Sequence, residues 1–152
     1  MVIHELTAAE CRVVLRHATH GRLACARHDQ PYVVPFSFML DAGRDCLYSI
    51  SAPGQKIEWM RSNPRVCVEV DDVADRFNWV TVLVFGRYEE VGDSKLDRED
   101  RRRATELLQQ RESWWLPGLG KLASGKESET AILYRILIDR ISGRRTSRHG
   151  GP

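Results

Sequence analysis

The sequence predicts a mainly β fold, an antiparallel β-barrel with peripheral helices, and three observations carry that expectation. Six segments of strand length either alternate apolar and polar residues or run rich in β-branched and aromatic ones. Hairpin-type turns rich in Gly, Pro, Asp and Asn link most of them. Three helical segments fall at the joints, without the strict strand-helix alternation of a parallel nucleotide-binding sheet. One domain over residues 1–152 is expected, since 152 residues with 42% hydrophobic and 29% charged content can bury one sizeable core.

Each element has its own signal. Thr7-Ala8-Ala9-Glu10 is a capping box, and Cys11, Val14, Leu15 and Ala18 follow at helical spacing, so the first helix covers about residues 8–18. Residues 22–27 alternate as a strand with Leu23 and Cys25 on one side. After a turn at residues 28–31, the run 32–40 reads as one long strand, and the two form a hairpin. A second turn at 41–45 leads to a strand over 46–51, a Ser-Ala-Pro-Gly turn, and a short helix that ends before Pro64 with Ile57 and Met60 inward.

Residues 65–71 alternate cleanly, and 79–91 form the longest strand, with Gly86 marking a bulge or bend. A charged helix over 95–111 turns Leu96, Ala104, Leu107 and Leu108 inward; its interleaved acidic and basic residues at 97–103 read as a solvated face. Residues 112–128 are irregular and carry Trp114 and Trp115, the pattern of a functional loop. The last strand, 130–141, aligns Ile132, Tyr134, Ile136 and Ile138 on one face, and residues 144–152 read as a flexible basic tail.

Composition narrows the function classes. A net charge of +2, from 23 basic and 21 acidic residues, creates no global field for nucleic acid or an anionic membrane. Arg140, Arg144, Arg145 and Arg148 are the local exception, read as a solvated terminus with phosphate tracking as the competing reading. No apolar run approaches the ~20 residues of a membrane span, and the N-terminus lacks a secretory pattern, so a cytoplasmic address is expected. Cys11, Cys25, Cys46 and Cys67 form no C-x-x-C pair and read as reduced, buried small hydrophobes. His4, His17, His20, His28 and His149 show no metal-ligand spacing, so no metal site is expected.

The chemistry-bearing feature is the junction from Leu47 to Ile57. A hydroxyl-bearing strand passes through Pro53-Gly54 into a helix with Lys56 in its first turn. Free N–H groups at a helix start, the positive end of the dipole, Ser49, Ser51 and one ammonium would converge on a phosphate. Neither G-x-G-x-x-G nor a P-loop motif is present, so the junction belongs to neither of those classes.

The order of Gly-Arg-Leu-Ala, Pro-Tyr-Val-Val-Pro-Phe-Ser-Phe, Leu-Tyr-Ser-Ile-Ser, the Lys-Ile helix, Asn-Pro-Arg-Val-Cys-Val-Glu-Val and Val-Leu-Val-Phe-Gly-Arg-Tyr resembles the pyridoxamine 5'-phosphate oxidase-like split-barrel flavoproteins, in their nitroimidazole-resistance-related branch. The resemblance implies a split barrel, a homodimer, and FMN held in grooves between subunits. It places Val34, Pro35, Phe36 and Ser37 along the isoalloxazine edge, and Ser49, Ser51 and Lys56 on the phosphate with Gln55 and Arg22 nearby. Trp79, Trp114 and Trp115 become substrate-side candidates.

The resemblance implies hydride or electron transfer at the flavin on a small aromatic or nitroaromatic substrate, a mechanism that requires no acid/base residue. The other readings are a non-catalytic flavin-binding or sensing module, and a relative using deazaflavin or haem. The Arg-Leu-x-Pro-type ending of the pyridoxamine-phosphate oxidases is replaced here by Ile141-Ser142-Gly143-Arg144-Arg145, and the histidine found in some nitroimidazole-branch relatives is replaced by the Tyr48-Ser49-Ile50-Ser51 stretch.

Overall fold

The computed structural model describes residues 1–110 and 131–148. Its elements are β1 (Val2–Leu6), α1 (Ala8–His17), β2 (His20–Arg27), β3 (Gln30–Ser37), β4 (Met39–Asp41), β5 (Cys46–Ser51), α2 (Gln55–Ser62), β6 (Arg65–Asp75), β7 (Asn78–Glu90), α3 (Arg98–Gln109) and β8 (Ile132–Ser147). The strands form one antiparallel sheet in the order β3-β2-β6-β7-β8-β5-β4, with β1 added to β8. The predicted antiparallel barrel architecture is the one observed.

The two ends of that order, β3 and β4, are consecutive in the chain, and only Phe38 separates them. The expected single strand over 32–40 is therefore two. Phe38 is fully buried, and its N–H donates to the Thr19 carbonyl at 3.2 Å rather than continuing a ladder. Ser49 in β5 donates from Oγ to the Ser37 carbonyl at 2.7 Å, drawing the two ends of the sheet together.

β5 is buried along nearly its whole length because it faces two cores. Leu47 points into the barrel with Leu23, Phe36, Val68, Val84 and Tyr134. Cys46, Tyr48 and Ile50 point the other way, under Ala104 and Leu108 of α3. At roughly 1.5 to 3 kcal/mol for each large apolar side chain buried, these two clusters supply the main driving force.

Local expectations are corrected at three places. β1 was not foreseen, because Val2, Ile3 and Leu6 do not alternate; it pairs with residues 143–147 of β8, so Arg144 and Arg145 are strand residues and not part of a tail. α3 is shorter than residues 95–111, and Leu96, expected inward, lies before it and is 93% exposed. Of the four free cysteines Cys11, Cys25 and Cys46 are buried, but Cys67 is only half-buried. The irregular stretch with Trp114 and Trp115 lies outside the described residues. The bulge at Gly86 is present as a register shift between Phe85 and Gly86, where an added Cβ would lie 2.3 Å from the Leu137 carbonyl oxygen.

Candidate functional site

The helix that follows β5 starts without a side-chain cap. α2 has Gly54 at its N-cap, and the first intrahelical bond runs from Glu58 N–H to the Gly54 carbonyl at 3.1 Å. The N–H groups of Gln55, Lys56 and Ile57 lie ahead of that bond and have no intrahelical acceptor. Residues Ala52, Pro53, Gly54 and Gln55 are exposed, and a Cβ added at Gly54 would meet nothing within 4 Å. The space above the turn is open.

Lys56 borders that space. It is half-buried, and no carboxylate pairs with it among the described residues. Burial holds its ammonium below the ordinary lysine value, because a charge removed from water without a partner is disfavoured. Ile57 and Met60, one and four residues on, are fully buried and fix the helix against the barrel. Trp59 packs its ring on Tyr32 of β3 at 5.2 Å between centroids, and Asn63 Nδ2 donates to the Ala26 carbonyl at 3.0 Å. These contacts tie the second half of α2 to the β2–β3 hairpin.

Among the expected phosphate contacts, the structure separates the two serines. Ser51 is half-buried at the turn, and its Oγ donates to the Ala52 carbonyl at 3.0 Å, leaving oxygen lone pairs free to accept. Ser49 is 2% exposed and faces inward, where it bonds Ser37. Its strand is not an edge, since β8 and β4 flank it. Arg22 lies on the outer face of β2, where Asp71 at 2.9 Å and Glu69 at 3.4 Å neutralise it.

Along β3, Pro35 is exposed and Val34 half-buried against the core. Phe36 is 2% exposed and stacks on Phe38 at 5.4 Å. Its ring belongs to the core, so any ligand contact by Phe36 is made through its backbone. Among the described residues β3 ends the sheet order and has one edge without a strand partner. Trp79 is half-buried at the far end of β7, with its N–H on Thr146 Oγ1 at 3.0 Å.

One surface escaped sequence reasoning. Val33, Ala24, Cys67 and Phe85 are successive register partners across β3, β2, β6 and β7, all on the outer side of the sheet. Val33 is 59% and Phe85 36% exposed. The signal was available: Val80, Val82 and Val84 alternate with Leu83 and Phe85, so β7 is apolar on both faces.

The pyridoxamine 5'-phosphate oxidase family profile matches residues 7–145. This chain belongs to that family. A FAD-binding protein of Mesorhizobium loti is 42% identical, covers 97% of this chain and 100% of its own, and superposes with a TM-score of 0.79. An uncharacterized protein of Rhizobium meliloti (strain 1021) is 36% identical over 146 residues, 95% of each chain. A nitroimidazole-resistance protein homologue from Bacteroides thetaiotaomicron shares the fold at 18% identity, with a TM-score of 0.67 over 95% of this chain and 89% of its own. The expected split-barrel family is the one found. Among the described residues no helix is long and apolar enough to cross a membrane, and no three His, Cys, Asp or Glu side chains gather as a metal site.

Proposed function

We propose that this chain binds a flavin nucleotide and acts, as a homodimer, as an oxidoreductase on small molecules. The observation that carries the reading is Lys56, a half-buried cation without a carboxylate partner among the described residues, set beside uncapped helix N–H groups. That combination suits a phosphate, which completes the lysine's charge and the helix end together. Lys56 Nζ and the N–H groups of Gln55 and Lys56 hold it, with Ser51 and the Gln55 side chain at the rim. Backbone groups of Val34 to Ser37 flank the ring, where alternating donors and acceptors match its nitrogen and oxygen atoms. Ser49 acts one step behind, fixing Ser37.

When bound, the flavin supplies hydride or electron transfer. The chain's residues orient the ring and keep the phosphate end anchored. The Mesorhizobium loti relative, at 42% identity, supports flavin as the cofactor. The portion read here, ring to first phosphate, is common to FMN and FAD. The apolar row Val33, Ala24, Cys67 and Phe85 favours a second copy as partner, because an exposed apolar band beside the β3 edge is covered when two outer faces meet.

The absorbance spectrum of the purified chain tests the reading. A yellow protein, or one that takes up FMN or FAD at micromolar concentration, supports it; a chain that stays colourless in excess flavin overturns it. Stopped-flow reduction by NADH or NADPH, followed by reoxidation with a nitroaromatic, tests the oxidoreductase step. A reduced flavin that no small-molecule acceptor reoxidises leaves a binding module.

A further inference from the structure

We propose that Tyr134 is a positioning residue for the flavin ring, acting through Ser49 on the Ser37 end of β3; the inference rests on the flavin reading above. Tyr134 is 0% exposed and belongs to the barrel core. Its hydroxyl is buried and has no hydrogen-bond partner among the described residues. A buried hydroxyl in that state destabilises the fold, and phenylalanine would fill the same space without the cost. The oxygen therefore needs an account that packing does not give.

Register decides which groups the hydroxyl can reach. Tyr134 lies between Glu90 of β7 and Ser49 of β5, its Cα partners on the two sides. Glu90 is already engaged, since its Oε1 receives Arg61 Nε at 2.5 Å and the Tyr88 hydroxyl at 2.6 Å. Ser49 faces the same interior and donates its own proton to the Ser37 carbonyl at 2.7 Å, so its oxygen can still accept. Burial pushes the Tyr134 phenol up and the Ser49 hydroxyl draws it back, which leaves the phenol protonated and a donor at neutral pH. With the end of β3 held against the ring, Ser37 and Ser49 are fixed, and the Tyr134 hydroxyl gains Ser49 Oγ as its acceptor. The donors then run in series from Tyr134 to Ser49 to the Ser37 carbonyl, each bond polarising the next.

The phenol ring is keyed to the same strand end. It packs on Phe36, the residue before Ser37, at 6.2 Å between centroids, and on Tyr88 at 5.3 Å. Phe36 in turn stacks on Phe38, where the chain leaves β3 for β4. Tyr134 thus meets β3 at two adjacent residues, through its ring at Phe36 and through Ser49 at Ser37. Tyr134→Phe separates the two, because it keeps the ring and removes only the oxygen.

Titration of the full chain with whichever of FMN and FAD the parent takes up tests this. Tyr134→Phe should weaken flavin binding about fivefold, the worth of one buried hydrogen bond, and should shift the visible absorption bands of the bound flavin. Urea unfolding of the ligand-free variant should show stability at or above the parent's, since an unpaired hydroxyl has been removed, and this excludes misfolding as the cause. Ser49→Ala should weaken binding at least as much, and the double variant should bind no more weakly than Ser49→Ala alone, because the two side chains act in series. If Tyr134→Phe binds flavin like the parent with unshifted bands, or if the two single losses multiply in the double variant, the inference is overturned and the flavin reading stands. A parent chain that binds neither flavin removes both.

Discussion

The two helices packed at the ends of β5 treat charge in opposite ways. Under α3, the buried Asp41 carboxylate receives Arg103 through two contacts, and the N–H groups of Gly43 and Arg44 at 3.0 and 3.2 Å. Beside it Asp100 meets Arg135 at 2.7 Å and Arg44 at 3.1 Å, and Arg135 also grips Glu89. At α2, Lys56 is half-buried with no such partner among the described residues. An uncompensated buried charge destabilises a fold. The chain matches charges where only packing is needed and leaves one unmatched where a ligand can complete it.

The largest test of this contrast is Asp41→Asn. Burial pushes the Asp41 carboxyl up, but the hydrogen bonds from Arg103 and from the Arg44 and Gly43 N–H groups outweigh it, so its folded pKa lies below the ordinary value. A depressed carboxylate stabilises the fold fully above its unfolded pKa, and that contribution is lost as pH falls through the folded value. The variant should cost about 3 kcal/mol at neutral pH, the low side of the range for a broken buried pair because Arg103 is 43% exposed on its side chain. Urea unfolding across pH 2 to 7 should show the difference from the parent chain shrinking at the acid end. A cost within about 0.5 kcal/mol, as for an ordinary surface change, would end the contrast.

How much of this was legible follows from which forces are local. The α1 capping box, the β2–β3 hairpin, the Gly86 bulge and the inward Ile57 and Met60 are written in neighbouring residues, and each is where the sequence puts it. β1 and the strand character of Arg144 and Arg145 were not, because β1 depends on residues 143–147 and the two arginines on both β1 and the distant β7. The break at Phe38 depends on Thr19, and the inward turn of Ser49 depends on Ser37, two contacts that close the barrel. At the site, Lys56 and the bare helix start were readable from Pro53-Gly54-Gln55-Lys56. That Arg22 is already neutralised was not, since Glu69 and Asp71 reach it only after β6 pairs with β2.

Lys56→Met sharpens the comparison from the other side. Flavin affinity should fall by about 1.5 to 3 kcal/mol, the range for a charge-assisted contact to phosphate. The ligand-free protein should become more stable, the reverse of the Asp41 result. The sign follows from the depressed lysine pKa: the folded state binds its proton less readily than the unfolded chain, so the charged lysine disfavours folding at neutral pH. The advantage of the variant should shrink as pH rises through the lysine range, where the parent chain sheds the proton itself. Thermal denaturation with and without flavin separates the two effects. A variant destabilised in both states would mean that Lys56 is a packing residue.

The smallest expected effect concerns the helix starts themselves. α1 opens with a complete capping box: Glu10 N–H donates to Thr7 Oγ1 at 3.3 Å and Thr7 N–H donates to Glu10 Oε2 at 2.7 Å. Thr7→Ala should therefore cost about 1 kcal/mol. α2 has Gly54 in the corresponding place, with an extended φ of 172° that any residue adopts and open space where a Cβ would go. Gly54→Asp should fit without strain and stabilise the ligand-free chain by about 0.5 kcal/mol, because its carboxylate caps the bare N–H groups. The same carboxylate occupies the anion's place and repels it, so flavin affinity should fall as stability rises. If Gly54→Asp stabilises the chain and leaves flavin binding untouched, the phosphate is held somewhere other than the start of α2, and the unmatched charge on Lys56 needs a different explanation.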